Sequence, residues 1–472
     1  MHRLHVLDPS TSCSAAPVSA TGAELRGRRV VLVGLDWTRD KDPRLPLGQA
    51  SLSASLRERG AEVRDLSYAI NAPSFALASV VDAVLAAAAV EEGAADVGIG
   101  VYVWNDALVL ALCRRLRESG FAGRIILGGP QITYHAPGVA ESYPCADVFV
   151  RGAGEQALAA IVAEPGRAVH AGVVWRGEVD HGEQAAVDLE RVPSPYLSGV
   201  LDLALHRRFV RWETKRGCRF RCGFCQHRDP GKRARVVGFG ADRIGGEVRA
   251  FVEAGVESIA VLDPIFNDRS FPYLEVLDAL IAAGFRGRLS LQCRFELVTP
   301  EFLARCRSLD VCLEFGLQTI HPSEWKVIQR GNELGRIEAA IAALHAAEID
   351  FEVSLIYGLP EQTLGSFRAS VEWCLQRRIP VIKAFPLMLL RGTEIERSRA
   401  QWDLQESEDP IPMVVSSTTF STEDHAEMGR IAEALLATEG AHPRSVEGLC
   451  GGWAGPLART RWTPLASAAG AG

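Results

Sequence analysis

The sequence predicts an α/β protein built from two successive sheets, the first an open, Rossmann-like sheet and the second a partial barrel. Three observations carry this expectation. From Arg29 to about residue 165, short β-branched apolar runs alternate with amphipathic stretches of helical period. The same alternation starts again at Arg211 and runs to Pro386. Between them, residues 166–210 break the rhythm and gather proline, serine and glycine, the composition of a linker.

Composition sets the outer bounds. At about 150 residues per domain, a chain of 472 residues makes roughly three units. Apolar residues at 47% and charged residues at 23% are those of an ordinary soluble protein. A formal charge of −7 supplies no general attraction to nucleic acid, so no nucleic-acid partner is expected. No run reaches the apolar length of a spanning helix, so no membrane partner is expected either. The opening 27 residues are Ser/Ala/Pro-rich and lack the apolar centre of a secretory signal, which reads as a loose arm on a cytoplasmic protein.

In chain order, Arg28–Leu35 reads as a strand and Pro46–Arg59 as a helix that Gly60 stops. EVRDL follows as a short strand, then an Ala-rich helix from about Ser74. ADVGIGVYV is a strand, and Asn105 stands where it would cap the helix NDALVLALCRRLRES. RIILGGP and ADVFVRGAGE each end a strand in a glycine turn. Strands separated in this way by helices imply a parallel sheet covered on both faces. AGVVWRGEVDHGEQ then reads as a small hairpin and RVPSPYLSGV as a connector.

The second array has strands RWETKR, VESIAVL, RLSLQC, DVCLEFG, FEVSLIYG and VIKAFPL. Helices are expected near Asp242–Glu253, Pro272–Ala283, Glu301–Arg307, Glu333–Ala347 and Leu364–Arg377. These steps fall short of an eight-unit barrel and suit an open one, with chemistry at the carboxyl ends of its strands. Helical period resumes at Thr422–Ala437, and the irregular tail carries Trp453, Arg459, Arg461 and Trp462, a suggestive cover for a site.

Eleven cysteines, an odd number without an export signal, do not read as a disulfide framework. Eight are scattered (Cys13, Cys113, Cys145, Cys293, Cys306, Cys312, Cys374 and Cys450), mostly among apolar neighbours, as buried thiols are. The other three, Cys218, Cys222 and Cys225, form a C-x3-C-x2-C cluster in ETKRGCRFRCGFCQHRD. Thiolates select zinc, copper or iron–sulfur. Three ligands leave one iron of a [4Fe–4S] cube open to a substrate or cofactor, whereas structural zinc is closed by four. The competing readings are zinc completed by His227 and coincidental core cysteines.

That loop, after the first strand of a partial barrel, resembles the radical S-adenosylmethionine (SAM) superfamily. The segments VLDPIFND (261–268), EFGLQTIHPSEWKVIQRG (314–331), YGLPEQT (357–363) and FPLMLLRGTE (385–394) resemble it too. Upstream, ADVGIGVYVWN, IILGGPQITYHAPGVAESYPCADVFVRGAGE and VPSPYLSG resemble the cobalamin-binding, class B methyltransferase-like branch of those enzymes. The resemblance implies an N-terminal Rossmann-like cobalamin-binding domain (28–165) after an arm (1–27), a linker (166–210), a radical SAM partial barrel (211–395) and a small C-terminal extension (396–472). It makes Cys218, Cys222 and Cys225 the ligands of a [4Fe–4S] cluster whose open iron is chelated by SAM, with Phe224 beside the adenine. It places Gly128, Gly129, Pro130, Arg151, Gly152, Gly154 and Glu155 in loops around cobalamin, where turns without side chains let backbone approach a large flat ligand.

Other residues keep two readings. Tyr102 and Trp104 are either core packing or an apolar wall above the corrin. Glu314 and Gln318 bind SAM or make structural hydrogen bonds. Glu296 touches SAM, iron or substrate, or forms an ordinary salt bridge. Lys215, Arg216, Arg219 and Arg221 make the cluster loop basic, in mixed roles. No D-x-H-x-x-G sequence occurs, so no histidine is expected on cobalt, and His135 reads as a solvated loop residue.

The implied function is C-methylation of a small natural-product intermediate. Reductive cleavage of one SAM yields a 5′-deoxyadenosyl radical that takes hydrogen from substrate carbon, and methylcobalamin, charged by a second SAM, delivers the methyl group. The expected partners are a small-molecule substrate and an external electron donor such as flavodoxin or ferredoxin. The alternatives are cyclisation, ring contraction or rearrangement without net methylation, and non-radical methyl transfer of the tryptophan-2-methyltransferase type.

Overall fold

A computed structural model describes residues 25–39, 46–89, 95–227 and 236–451. Most of the expected arm, Cys13, and the tail residues Trp453, Arg459, Arg461 and Trp462 lie outside the described residues.

The first sheet contains β1 (Arg29–Asp36), β2 (Glu62–Ala69), β3 (Asp96–Gly100), β4 (Ile125–Gly128), β5 (Val148–Val150) and β6 (Val173–Trp175). Their order is β2-β1-β3-β4-β5-β6, with every pair parallel except β5 and β6. Successive residues of β1 enter opposite cores, Val30 and Leu32 on one face and Val31 and Val33 on the other. Burial on both faces is what the unbroken apolar run VVLV requires. The helix Asp106–Glu118 packs through Val109, Leu112, Cys113 and Leu116, an apolar stripe of helical spacing.

Two local expectations are corrected. VVW is not half of a separate hairpin but the antiparallel edge strand β6 beside β5. Asn105 precedes its helix without capping it through its side chain. Its carboxamide accepts from the Tyr102 amide at 2.8 Å and donates to the carbonyls of Leu35 and Gly100, each at 3.0 Å, which ties the ends of β1 and β3 together.

The second sheet contains β7 (Val210–Trp212), then, after the short antiparallel pair β8 (Lys215–Arg216) and β9 (Val237–Gly238), the strands β10 (Ser258–Val261), β11 (Arg288–Cys293), β12 (Asp310–Gln318), β13 (Asp350–Tyr357) and β14 (Val381–Pro386). RWETKR, expected as one strand, is therefore two, broken at Glu213 and Thr214. The order is β7-β10-β11-β12-β13-β14, parallel throughout, an open six-stranded barrel wall. Along β12, Val311, Leu313, Phe315 and Leu317 are buried, and Cys312, Glu314, Gly316 and Gln318 alternate with them on the other face.

Beyond the barrel come the antiparallel pair β15 (Gln405–Glu406) and β16 (Val414–Ser416), and a helix, Thr422–Ala437, opened by a Ser421/Asp424 capping box. Among the described residues, no helix is long and apolar enough to cross a membrane.

Candidate active site

Where the order β2-β1-β3 reverses direction, the strand ends leave a crevice. A cavity of about 430 Å³ occupies it, lined at the strand ends by Gly34, Asp36, Gly100, Gly128, Gly129 and Gly152. It continues as a slot past Leu32, Gly98, Ile126 and Leu158, between the sheet and the helices Leu47–Glu58 and Gly154–Ala163. Its volume falls in the range of ligand and cofactor sites. The glycines keep it open. A Cβ on Gly98 would stand 2.9 Å from the Leu32 side chain. Gly129 has φ 94°, and a Cβ there would stand 2.8 Å from the Val101 carbonyl oxygen. Tyr102 and Trp104 form one wall, their rings stacked 4.5 Å apart, and the indole N–H donates to the Leu35 carbonyl at 3.1 Å.

The residues singled out from the sequence divide here. Tyr102, Trp104, Gly128, Gly129, Gly152, Gly154 and Glu155 all line the cavity. Pro130 does not line it; it is the first residue of a short helix, Pro130–Thr133, where a missing N–H costs nothing. Arg151 is placed elsewhere as well. It is 1% exposed, and its guanidinium is spent on Asp180 (3.0 Å from Nε) and on the carbonyls of Ile132, Thr133, His135 and Ala136. A buried guanidinium needs this full set of acceptors, and removing the carboxylate from such a pair costs about 3–5 kcal/mol. Arg151 therefore builds the loop instead of meeting the cavity. His135 also stays away from the cavity, both ring nitrogens being engaged by Ala136 O and Ser142 Oγ.

The cysteine loop follows β8. Burial pushes the Cys218 thiol up and the Cys225 thiol to about 11, and the neighbouring Cys222 sulfur raises both further. Ligation has to drive these protons off, and the surrounding charge favours that. Arg330, 7% exposed, donates to Cys222 Sγ at 3.4 Å and also bonds the Gly316 carbonyl. Arg294 lies 4.1 Å over the Phe220 ring, and Arg219 pairs with Asp268 at 3.2 Å. Lys215 points inward, donating to the Phe266 carbonyl at 3.0 Å, and burial lowers its pKa. Arg221 is exposed. His227 donates its backbone N–H to Cys225 Sγ at 3.5 Å. Among the described residues, no three Cys, His, Asp or Glu side chains close on a single ion-sized site.

The carboxyl ends of β11 and β12 complete the barrel mouth. Gln318 sits at a bulge with φ 70°, and its side-chain oxygen is buried without a hydrogen-bond partner. Glu314 accepts from the Ser290 hydroxyl on β11. Burial opposes ionisation of Glu296, but Arg294, hydrogen-bonded to it at 3.2 Å, holds its carboxyl below the ordinary range. Phe224 is half-buried and packs on the barrel core. Sequence reasoning quoted VLDPIFND and VIQRG without giving roles to Asn267 or Arg330. Asn267, fully buried, exchanges two 3.0 Å bonds with the Arg294 backbone. A buried amide or guanidinium inside a matched segment was the available signal.

Two family models match the chain, that of the B12 binding domain over residues 43–162 and that of the Radical SAM superfamily over residues 212–374. The chain belongs to the cobalamin-binding radical SAM enzymes. It is 30% identical over 261 residues to the 2-(S-pantetheinyl)-carbapenam-3-carboxylate methyltransferase of Streptantibioticus cattleyicolor, covering 51% of this chain and 36% of that one. It is 30% identical over 280 residues to the cobalamin-dependent radical SAM methyltransferase TokK of Streptomyces tokunonensis, covering 56% and 39%. The matches thus span well under half the length of both relatives. The fold is that of the radical SAM methyltransferase TsrM from Kitasatospora setae (TM-score 0.66, 17% identity, 84% of this chain and 81% of that one). It is also that of the cobalamin-dependent radical enzyme OxsB (TM-score 0.66, 15% identity, 88% and 67%).

A [4Fe–4S] cluster, SAM and cobalamin are accordingly the cofactors of this radical SAM enzyme. The residues present fit them. The glycine-lined crevice with its aromatic wall suits a large flat ligand with a tail in the slot. Three thiols on one loop beside a buried arginine suit an anionic cluster. The unsatisfied Gln318 oxygen offers a buried acceptor at the mouth, which suits the amino or ribose groups of SAM.

Proposed function

We propose that this enzyme is a cobalamin-dependent radical SAM C-methyltransferase acting on a small-molecule natural-product intermediate. The observation that carries the reading is the shared cavity: Arg211, Arg216 and Leu262 of the barrel half line the same space as the glycine turns of the cobalamin half. A cobalamin cavity bordered by barrel residues, one of them two positions before Cys218, suits a reaction that needs both cofactors.

When bound, the reduced cluster supplies the electron that cleaves SAM, and cobalamin carries the methyl group. The chain's own residues supply placement and exclusion of water. Cys218, Cys222 and Cys225 hold the cluster, with Arg330 offsetting its negative charge. Gln318 accepts a proton-bearing group of SAM, and Phe224 borders the adenine. Gly128, Gly129, Gly152 and Gly154 let backbone meet the corrin, and Tyr102 and Trp104 wall it from water. Glu314, midway along β12, braces the sheet through Ser290 of β11. The electron comes from an external donor such as flavodoxin or ferredoxin.

The reading is tested with reductant, methyl-deuterated SAM and candidate acceptors drawn from the biosynthetic genes adjoining its own. A labelled carbon-bound methyl group is expected, and cobalamin-free protein should make none. A product of unchanged carbon count without label, formed alongside 5′-deoxyadenosine, overturns methyl transfer in favour of rearrangement.

A further inference from the structure

The cysteine loop is tied to the cobalamin half at both of its ends. At its start, Arg216, two residues before Cys218, donates to Glu155 at 2.7 Å and to Glu213 at 3.0 and 3.1 Å. Glu155 is 5% exposed, opens the helix beneath the glycine turn RGAG, and also accepts from Ser51 at 3.0 Å. At the other end, Gln226, next to Cys225, accepts at its carbonyl from the Tyr134 hydroxyl, and its carboxamide donates to the Arg391 carbonyl at 2.9 Å. Arg391 in turn reaches across to Asp106 at 2.9 Å, the Tyr143 hydroxyl at 2.9 Å and the Gln131 carbonyl at 3.1 Å. Asp106 also accepts from Tyr143 at 2.7 Å.

These two arginines stand at opposite edges of the open barrel, one just after its first strand β7, the other just after its last strand β14. A single covalent linker between two domains leaves their relative orientation free unless the interface fixes it. Here the interface is fixed at two separated points, and each point ends within two residues of a cysteine. Arginine suits such a joint because its rigid fork holds several acceptors in a set geometry.

We infer that Arg216 and Arg391 are positioning residues, a two-point clamp by which the cobalamin domain sets where the cluster loop stands relative to the corrin. Arg216 acts through Glu155, and Arg391 acts through Asp106 and Tyr143. The inference rests on the reading that both cofactors serve one reaction, but its test needs neither substrate nor turnover.

The test uses the full chain carrying both its cluster and cob(II)alamin. When the cluster is reduced, it is a second paramagnet and speeds the electron-spin relaxation of cob(II)alamin in a manner that falls steeply with distance. The microwave power that half-saturates the cob(II)alamin EPR signal therefore reads the separation. In Glu155→Gln and Arg391→Met, each loaded with cobalamin and cluster to the wild-type content, that power should fall severalfold towards its value in cluster-free protein, and in Arg391→Met, whose arginine lies outside the cobalamin cavity, cobalamin affinity should also stay at the wild-type level. Arg391→Lys, which keeps the charge and loses the fork, should fall in between. Asp106→Asn, nearly isosteric, repeats the Arg391→Met result should that variant fold poorly. Unchanged relaxation in both Glu155→Gln and Arg391→Met overturns the clamp and leaves the methyltransferase reading untouched. Loss of cobalamin itself from well-folded Arg391→Met also overturns it, because that arginine would then be binding the cofactor directly. Absence of methyl transfer in the wild type would leave the relaxation result standing.

Discussion

The two halves of this enzyme present ligands with opposite surfaces at equivalent positions, the carboxyl ends of parallel strands. On the cobalamin side, the strand ends are glycines and a stacked Tyr102/Trp104 wall, so the surface offers clearance and exposed backbone. On the barrel side, Arg294, Glu296 and Gln318 stand at the strand ends and Arg330 bonds Cys222, so the surface offers charge and directed hydrogen bonds. The difference follows the ligands: a large neutral macrocycle needs clearance, whereas a charged cluster and a zwitterionic cosubstrate need counter-charges. Bulk should therefore disable the first side and loss of a polar atom the second.

The largest effect belongs to the cysteines. Replacing Cys218, Cys222 and Cys225 together by alanine should abolish the cubane in reconstituted protein, as read by Mössbauer spectroscopy and by iron and sulfide content, while cobalamin still binds. A normal cubane in that variant would remove the ligand assignment. Next comes bulk on the other side. Gly98→Leu, placed where even a Cβ meets Leu32 at 2.9 Å, should fill the slot. It should lower cobalamin affinity at least about tenfold, or about 1.4 kcal/mol, with cluster content unchanged. Equal losses of both cofactors would erase the contrast between the halves.

A smaller loss is expected at the barrel mouth. Gln318→Leu is close in volume and removes the unsatisfied buried oxygen. A hydrogen bond to a charged group is worth about 1.5–3 kcal/mol, so SAM should bind about ten- to a hundredfold more weakly. Undiminished SAM affinity would mean the oxygen faces no ligand.

The smallest effect is one of acid stability, confined to the C-terminal helix that packs on the barrel. Burial lowers the His425 pKa from 6.5 to about 4. A histidine held neutral in the fold favours folding fully above its unfolded value, and that contribution falls away as pH drops from 6.5 towards 4. Amide exchange in the helix Thr422–Ala437 should therefore quicken across this window, and His425→Phe should flatten the trend. Equal acid sensitivity in the first sheet would assign the effect to general charge rather than to this residue.

Much of this was legible in the sequence because it depends on neighbours along the chain. DVCLEFG was expected as a strand, and β12 forms there with Leu313 and Phe315 on the buried face and Glu314 and Gln318 on the other, as a period of two requires. The unbroken run in β1 announced burial on both faces. The C-x3-C-x2-C spacing on a short loop pointed to an open iron–sulfur cluster, and the resemblance of the upstream segments to cobalamin-binding enzymes pointed to the second cofactor.

What the tertiary structure alone decided is the partner of each polar side chain. Arg151 sits among glycines that line the cavity, yet its guanidinium turns to Asp180 and to carbonyls of residues 132–136, because a buried cation goes where acceptors converge. Asn105 has the residue type and position of a helix cap but instead bonds carbonyls at the ends of two strands. Glu155 meets Arg216 across 61 positions and Arg391 meets Asp106 across 285, separations at which no periodicity survives. Period and spacing are local quantities written residue by residue, whereas the choice of a hydrogen-bond partner is settled by desolvation and distance once the two sheets have met.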